Sequence, residues 1–258
     1  MQLCAKNYFK ERQKQILAIF TISDLHLSLN KKTNKSMEVF GRRWQAYTEK
    51  LEKNWRAVIT ENDTVIVPGD ISWALTPEEA VADFNFINSL PGKKLIGKGN
   101  HDFWWQTVKK LTAFTEKNGF NTIKFLYNNA YEVENTIICG TRGWFYDPSC
   151  DNMPEGTDFA KIMAREAIRL KMSLDAALAL KKQSPEKEIL VFLHFPIIWG
   201  DKCSEELFAL IKEYGIHRVY FGHIHGSYDM PSDFEADGVH FTLISADFLS
   251  FIPKIVQK

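Results

Sequence analysis

The sequence has few cysteines and no net charge, and each of these features argues against a class of protein. Only four cysteines occur in 258 residues, and none forms a CxxC pair. A chain of this length does not need disulfide bonds to hold a core, so we expect free thiols in a reducing compartment and no structural zinc knuckle. Lysine plus arginine and aspartate plus glutamate number 32 each. This balance of charge disfavours nucleic acid as a partner, although it does not exclude a local basic patch.

The sequence also has no apolar segment long enough to cross a bilayer. Residues 1–15 are polar and charged, and the apolar run that follows, 16–22, is too short for a signal peptide or a membrane span. We therefore predict a cytoplasmic protein without a membrane partner. The first 15 residues form an extension that could be flexible, and residues 16–258 suffice for a single domain.

Short apolar runs alternate with longer amphipathic ones, which indicates an α/β fold. The helical spacing falls at 37–60, 77–90, 103–118, 158–182 and 204–214. The short runs, which read as buried strands, are 16–22, 64–67, 94–96, 136–139, 189–193, 219–221 and 241–244. The least regular stretch is 142–156, which has the composition of a long loop and carries three aromatic residues.

Five of the seven histidines belong to motifs that lie at or just beyond the ends of these predicted strands. Aspartate, histidine and asparagine side chains are ligands for divalent metal ions, and strand ends in α/β folds bring distant residues together. Each motif alone is weak, but five in order are poorly explained by chance. In chain order they are Asp24-Leu25-His26, Gly69-Asp70, Gly99-Asn100-His101-Asp102, His194 and Gly222-His223-Ile224-His225.

The residue types suit a site for two ions. In an extended backbone, residues two apart face the same side, so Asp24 and His26 can reach one ion. The carboxylate of Asp70 can bridge two ions, and Gly69 before it permits a tight turn. Asn100 offers an oxygen ligand without adding charge.

The order DxH, GD, GNHD, H, GHxH resembles the calcineurin-like metallophosphoesterase superfamily. This resemblance implies two mixed β-sheets packed as a sandwich, flanked by helices, with a dinuclear centre of manganese, iron or zinc. It also implies that Asp70 bridges the two ions. The first ion then takes Asp24, His26 and His225, and the second takes Asn100, His194 and His223.

The same resemblance assigns the catalytic residues. A metal-activated water attacks phosphorus in line, and His101 is not a ligand but contacts a phosphate oxygen and protonates the leaving alkoxide. Asp102 is expected to orient His101 through the other ring nitrogen. The substrate is then a small phosphorylated molecule or a nucleotide, as a monoester or a diester.

Several residues near these motifs have open roles. Arg142 follows a predicted strand and could anchor a substrate phosphate, but a salt bridge explains it equally well. Trp73, Trp104 and Trp105 could wall the pocket, and packing beneath the metal-binding loops is the favoured alternative. Asp247 also follows a strand and could support a metal ligand from behind, but we do not assign it that role.

Other functions stay open. A protein Ser/Thr phosphatase of this superfamily has GNHE where this chain has GNHD, which disfavours that activity. A nuclease needs a basic groove, for which a neutral chain gives no sign. A non-catalytic metal-binding scaffold is disfavoured because every ligand position and His101 are present. The sequence does not fix the oligomeric state.

Overall fold

Two β-sheets lie face to face in the computed structural model of the protein, which describes residues 17–30, 33, 35–144 and 158–257. The first sheet has five strands and the second has six. Both sheets are mixed, since parallel central strands are bordered by antiparallel pairs. The predicted α/β class with a two-sheet mixed sandwich flanked by helices is therefore confirmed.

The first sheet contains three parallel strands whose carboxyl ends carry motif residues. Its strands are β1 (Ile19–Thr21), β2 (Thr64–Val67), β3 (Lys93–Ile96), β4 (Ile123–Phe125) and β13 (Lys254–Gln257). Their order across the sheet is β13-β1-β2-β3-β4. Strands β1 to β4 are parallel, and β13 pairs antiparallel with β1. All residues of β1 and β2 are buried, which accounts for their unbroken apolar sequences.

The second sheet is larger. It consists of β5 (Asn129–Val133), β6 (Thr136–Thr141), β7 (Glu188–Leu193), β10 (Arg218–Phe221), β11 (Asp233–Ala236) and β12 (Val239–Leu243). Their order is β11-β12-β10-β7-β6-β5, and the four central strands, β6, β7, β10 and β12, are parallel. A separate two-stranded hairpin pairs β8 (Ile198–Trp199) with β9 (Lys202–Cys203).

Helices cover the outer face of each sheet. They are α1 (Tyr47–Val58), α2 (Val81–Ser89), α3 (Val108–Asn118), α4 (Phe159–Lys181) and α5 (Glu205–Glu213). One apolar cluster joins α1, α2 and α3 to the first sheet, and a second joins α4 and α5 to the second sheet. A third cluster lies between the sheets, where Ile66 of β2 and Phe192 of β7 are both buried. Within the described residues, no helix is long and apolar enough to span a membrane.

The predicted helix at 37–60 is wrong in its first half. Residues Met37–Phe40 and Arg42–Trp44 form two short 3-10 turns, and the α-helix begins only at Tyr47. Gly41 has φ 113° and Ala46 has φ 48°, and both values interrupt a right-handed helix. The strands β4, β5, β8, β9, β11 and β13 were not predicted. The extension predicted over residues 1–15 and most of the segment 142–156 lie outside the described residues.

Candidate dinuclear metal centre

The predicted ligands gather where the two sheets meet. Asp24 and His26 follow β1, Asp70 follows β2 and Asn100 follows β3, so four ligands leave the same edge of the first sheet. The other three, His194, His223 and His225, follow β7 and β10 of the second sheet. Parallel strands place their carboxyl ends at one edge, which explains how residues 24 to 225 reach one site.

Backbone hydrogen bonds join the two sheets beneath this site. The N–H of Ser23 donates to the carbonyl of Ile244 at 2.8 Å, and the N–H of Ala246 donates to the carbonyl of Ser23 at 2.9 Å. The hydroxyl of Ser245 donates to Oδ2 of Asp24 at 3.1 Å. The loop after β1 is therefore held by the second sheet as well as by the first.

Four of the seven predicted ligands have a left-handed backbone. The φ values are 61° for Asp24, 45° for His26, 51° for Asp70 and 71° for His223. Such conformations cost on the order of 1–3 kcal/mol each in a residue with a side chain and are concentrated at functional sites. The extended backbone expected between Asp24 and His26 is therefore wrong, although both side chains still reach the same place.

Two motif glycines are required by close approach of the chain. A Cβ on Gly99 would lie 2.0 Å from Oδ1 of Asp70, and one on Gly222 would lie 2.3 Å from Oδ2 of Asp24. No heavier residue fits at either position without moving a predicted ligand. The glycines of the GNHD and GHxH motifs thus leave space for the two carboxylates.

Asp24, His26 and His225 form the first ligand group. Their ligand atoms lie within 4.8 Å of one another. Nε2 of His26 is 3.1 Å from Nε2 of His225, and the latter is 3.3 Å from Oδ1 of Asp24. These are the three residues predicted for the first ion.

Asn100 is the centre of the second ligand group. Its Oδ1 lies 2.7 Å from Nε2 of His194 and 3.1 Å from Nδ1 of His223. A further triad of Asp24, Asp70 and His194 has ligand atoms within 4.8 Å of one another. The residues predicted for the second ion are thus brought together around the Asn100 amide.

Asp70 lies between the two groups, as expected of a bridging ligand. Its Oδ2 is 3.6 Å from Nε2 of His26 and 3.6 Å from Nε2 of His194. Its Oδ1 accepts the backbone N–H of His101 at 2.8 Å. Burial and the nearby carboxylates of Asp24 and Asp102 raise the pKa of Asp70 well above its usual range. Carboxylates this close are compatible with ionised forms only when positive charge is supplied between them.

Three of the four predicted histidine ligands, His26, His194 and His223, are in the neutral form that binds metal. Burial lowers the pKa of His26 and of His194 well below the usual range, and it lowers the pKa of His223 to about 4. Burial would raise the pKa of Asp24, but His225 and the neighbouring histidines lower it below its usual range. Neutral imidazoles and an ionised carboxylate are the species that coordinate cations.

The donor set fits two metal ions. Two buried histidine nitrogens, Nδ1 of His26 and Nδ1 of His194, have no hydrogen-bond partner among the described residues, and Nε2 of His26 faces Nε2 of His225. Buried nitrogens without a partner are unfavourable, and a cation held among these nitrogens and oxygens would satisfy them. Nitrogen and oxygen ligands of this kind suit manganese, iron or zinc.

His101 lies beside the ligand groups, with its ring centroid 5.5 Å from that of His26 and 4.4 Å from that of Trp73. Its position is consistent with the role predicted for it. Burial lowers its pKa from the usual value, whereas the Asp24 carboxylate acts to raise it. A bound phosphate would also favour the protonated ring, because an opposite charge stabilises the imidazolium.

Asp102 does not orient His101 as the resemblance implied. Its Oδ2 accepts the backbone N–H groups of Gly99 at 2.7 Å and of Asp70 at 2.9 Å. Its Oδ1 accepts those of Ile71 and Ser72 and the indole N–H of Trp104. With both oxygens occupied by these five donors, the carboxylate joins the loops after β2 and β3. This part of the sequence interpretation is corrected.

Asp247, to which the sequence interpretation assigned no role, contacts a predicted metal ligand. Nδ1 of His225 donates to its Oδ1 at 2.8 Å, and the hydroxyl of Tyr228 donates to its Oδ2 at 2.8 Å. Burial alone would lower the pKa of His225, but the carboxylates of Asp24 and Asp247 raise it to about 10. The signal that could have identified Asp247 is its position after β12, which matches that of the ligands after their own strands.

Arg142 forms the salt bridge that was one of its two predicted roles. Its Nη2 lies 3.2 Å from Oε1 of the fully buried Glu166, which also accepts from Nη1 of Arg169 at 2.5 Å. The backbone carbonyl of Arg142 accepts the N–H groups of His194 and Phe195. The residue is therefore adjacent to the second ligand group, with its guanidinium paired to α4. A contact with substrate stays a prediction.

The three tryptophans divide between the two expected roles. Trp104 is fully buried beneath the loop after β3, which confirms the favoured alternative for that residue. Trp105 is partly buried and packs against the core beside Phe125. Trp73 instead lines a cavity of about 410 Å³ together with His26, His101 and His225. Trp73 also packs against the core of the first sheet, so it fills both expected roles.

The fold and the site together are typical of metal-dependent hydrolases built on two mixed sheets. The chain matches the calcineurin-like phosphoesterase family over residues 17–227, more than half of its length, and it belongs to this family. The family predicted from the motifs is thereby confirmed. No protein of curated function matches the chain in sequence.

Two solved structures are similar in fold. The phosphopantetheinyl hydrolase PptH from Mycobacterium tuberculosis is 16% identical with a TM-score of 0.51, and the match covers 93% of this chain and 95% of that one. The protein TT1561 of Thermus thermophilus is 11% identical with a TM-score of 0.53, covering 94% and 99%. At these identities the likeness is one of fold alone.

Proposed function

We propose that the protein hydrolyses phosphate mono- or diesters of small molecules or nucleotides, using two bound metal ions. Membership of the calcineurin-like phosphoesterase family supports a metal-dependent phosphoesterase in general. The observation that carries the proposal is the position of Asp70 between two ligand groups, 3.6 Å from a histidine of each. The metals are manganese, iron or zinc, and the setting is the cytoplasm.

When bound, two metal ions would supply a nucleophilic water near neutral pH and positive charge to hold the phosphoryl oxygens. Asp24, His26 and His225 would hold one ion, Asn100, His194 and His223 the other, and Asp70 both. The strained backbone at Asp24 and Asp70 fixes the carboxylates before substrate arrives. This preorganisation lowers the reorganisation needed at the reacting centre.

His101 has the position for the proton transfer. Its ring lies beside the first ligand group and at the wall of the 410 Å³ cavity, where the leaving oxygen of an ester would lie. Its backbone N–H donates to Oδ1 of Asp70, so the main chain of His101 is held beside the carboxylate proposed to bridge the ions. The ring would donate a proton to the leaving alkoxide, which would otherwise leave as a poor anion.

The alternatives have less support. A non-catalytic scaffold has no need of His101 at the cavity wall or of strained ligand loops. A nuclease needs a cationic groove, but the cavity beside the site is lined by aromatic residues and by Met37. A protein Ser/Thr phosphatase is disfavoured by the aspartate in Gly99-Asn100-His101-Asp102.

The test combines metal analysis with hydrolysis of p-nitrophenyl phosphate and of its bis ester. We expect two ions per chain and turnover of at least one ester. Replacing His101 by asparagine should lower kcat by about 10²–10⁴-fold with both ions retained. The matched control is His240→Asn, an exposed histidine on β12. A protein with two bound ions that hydrolyses neither ester would contradict the proposal.

A further inference from the structure

The catalytic cavity adjoins a second cavity, and the residues that line both are apolar, whereas Lys35 and Ser36 line only the second. The second cavity has a volume of about 540 Å³, and the two have Met37, Phe40 and Trp73 in common. The cavity beside the metal centre also has two further aromatic residues, Trp44 and Tyr228, in its wall. A groove of this composition starts at His101 and leads away from the metal ligands.

Phe40 forms an exposed edge of this groove. It is 69% exposed although it is a large apolar residue, and its neighbour Val39 is exposed as well. Apolar surface of this kind beside a catalytic centre is typical of a ligand subsite, because burial by a ligand removes it from water. Phe40 contributes little to the core, so its exposure calls for another explanation.

The segment that carries Phe40 is held in place by its own hydrogen bonds. The hydroxyl of Ser36 accepts the N–H of Glu38, and Oε1 of Glu38 accepts the N–H of Ala46 at 2.9 Å. Met37 is buried in the core that joins the first sheet to its helices. Phe40 is therefore presented by a short structured turn beside the catalytic residues.

We propose that this groove binds an apolar aryl or alkyl group carried by the leaving alcohol of the substrate, and that Phe40 is a specificity-determining residue. The inference rests on the proposed phosphoesterase function and narrows its substrate class. The occupant is indicated by continuity with the site, because His101, the proposed proton donor to the leaving oxygen, lines the same cavity. The group attached to that oxygen would therefore enter the space beyond His101, where the residues shared by the two cavities are apolar.

The test compares two phosphomonoesters whose alkoxide leaving groups are both primary. These are 2-phenylethyl phosphate and ethyl phosphate, assayed with the metal-loaded protein. We expect kcat/KM to be at least about tenfold higher for the phenylethyl ester, since filling an apolar pocket is worth roughly 10-fold or more in specificity. Phe40→Ala should lower that preference by about fivefold.

Met172→Ala on α4 is the matched control, since it removes an exposed apolar side chain that lines neither cavity. A binding measurement supplements turnover: benzylphosphonate should inhibit more tightly than methylphosphonate, and Phe40→Ala should reduce the difference. Equal kcat/KM for the two esters, or an unchanged preference in Phe40→Ala, would overturn this inference alone. If the protein with two bound ions hydrolyses neither of these esters, nor p-nitrophenyl phosphate or its bis ester, the proposed function is overturned instead.

Discussion

The imidazole of His225 and the carboxylate of Asp247 form a 2.8 Å hydrogen bond from Nδ1 to Oδ1. This bond orients the ring, so that Nε2 points toward Asp24 and His26. Asp247 is fully buried and is itself held by the Tyr228 hydroxyl and by the backbone N–H of Gly226. A carboxylate behind a ligand histidine orients the ring and increases its basicity.

Replacing Asp247 with asparagine should weaken metal binding. We expect the affinity for the ion held by Asp24, His26 and His225 to fall by about 10–100-fold, because the side chain keeps its size but loses the charge that orients the ring. Competition with a chromophoric chelator measures the change. Asp237→Asn, an exposed carboxylate that pairs with Lys212, should leave the affinity as it is. Equal affinities in all three proteins would show that the hydrogen bond has no orienting role.

The close approach of Gly99 to Asp70 leads to a second prediction. In Gly99→Ala, the new Cβ would lie 2.0 Å from Oδ1 and 2.3 Å from the backbone nitrogen of Asp70. Backbone atoms cannot yield as a flexible side chain does, so the bridging carboxylate must move. We expect metal content to fall to one ion per chain or fewer, measured by inductively coupled plasma mass spectrometry.

The control for this prediction is Gly200→Ala. Gly200 has φ 61°, a left-handed conformation that favours glycine. Unlike at Gly99, a Cβ at Gly200 would meet no atom within 4 Å. That variant should lose roughly 1 kcal/mol of stability from left-handed strain and keep both ions. Retention of both ions in Gly99→Ala would contradict the close packing of the two loops.

A third prediction concerns Glu166, which is fully buried between Arg142 and Arg169. Glu166→Gln leaves two guanidinium groups without their counter-charge, and breaking a buried pair in this way costs about 3–5 kcal/mol. The arginines are partly exposed, so we expect about 2–4 kcal/mol in a urea titration. Glu52→Gln, which breaks the exposed pair with Arg56, should cost less than about 1 kcal/mol. Equal losses of unfolding free energy in Glu166→Gln and Glu52→Gln would show that burial does not strengthen the ion pairs of Glu166.

Much of the candidate site was predictable because each ligand follows an apolar run that ends in a short motif. Asp24, Asp70 and His194 are examples, and their grouping follows from parallel strands ending at one edge. The left-handed backbone at Asp24 was not predictable, since it depends on hydrogen bonds to the second sheet. Glu166 gave no signal either, because a buried glutamate within an amphipathic helix looks like a residue of its solvated face.

The predicted helix at 37–60 is a case in which the sequence indicated structure that is not there. Its spacing of apolar residues is compatible with a helix, but Phe40 is exposed at the cavity and Trp44 is buried against His26 and Phe251. The backbone at Gly41, with φ 113°, interrupts the helix between these two residues. Local periodicity could not reveal this, because the competing contacts include residues about 200 positions away. The role expected of Asp102 failed for a similar reason, since its partners are backbone N–H groups that no side-chain motif encodes.

Lys94 gives the last prediction, which concerns pH. It is fully buried on β3, and its Nζ donates to the carbonyl of Leu90 and to Oγ1 of Thr122 at 3.2 Å. Burial lowers the pKa of Lys94 from 10.5 to about 8. Between these two values the unfolded chain holds the proton and the folded chain does not, so stability rises with pH in this window. Below about pH 8 both states are protonated and the penalty of the buried charge is constant.

Lys94→Met removes the titrating group and keeps most of the side-chain volume. From about pH 8 to 10.5, the free energy of unfolding of the original protein should rise relative to that of the variant by on the order of 1–3 kcal/mol. Urea titrations at about pH 7.5, 9 and 10.5 measure the difference, with Lys212→Met on the surface of α5 as the control. Parallel pH profiles for Lys94→Met and the original protein would mean that Lys94 stays charged in the folded state. Its two oxygen partners would then solvate the ammonium well enough to cancel the cost of burial.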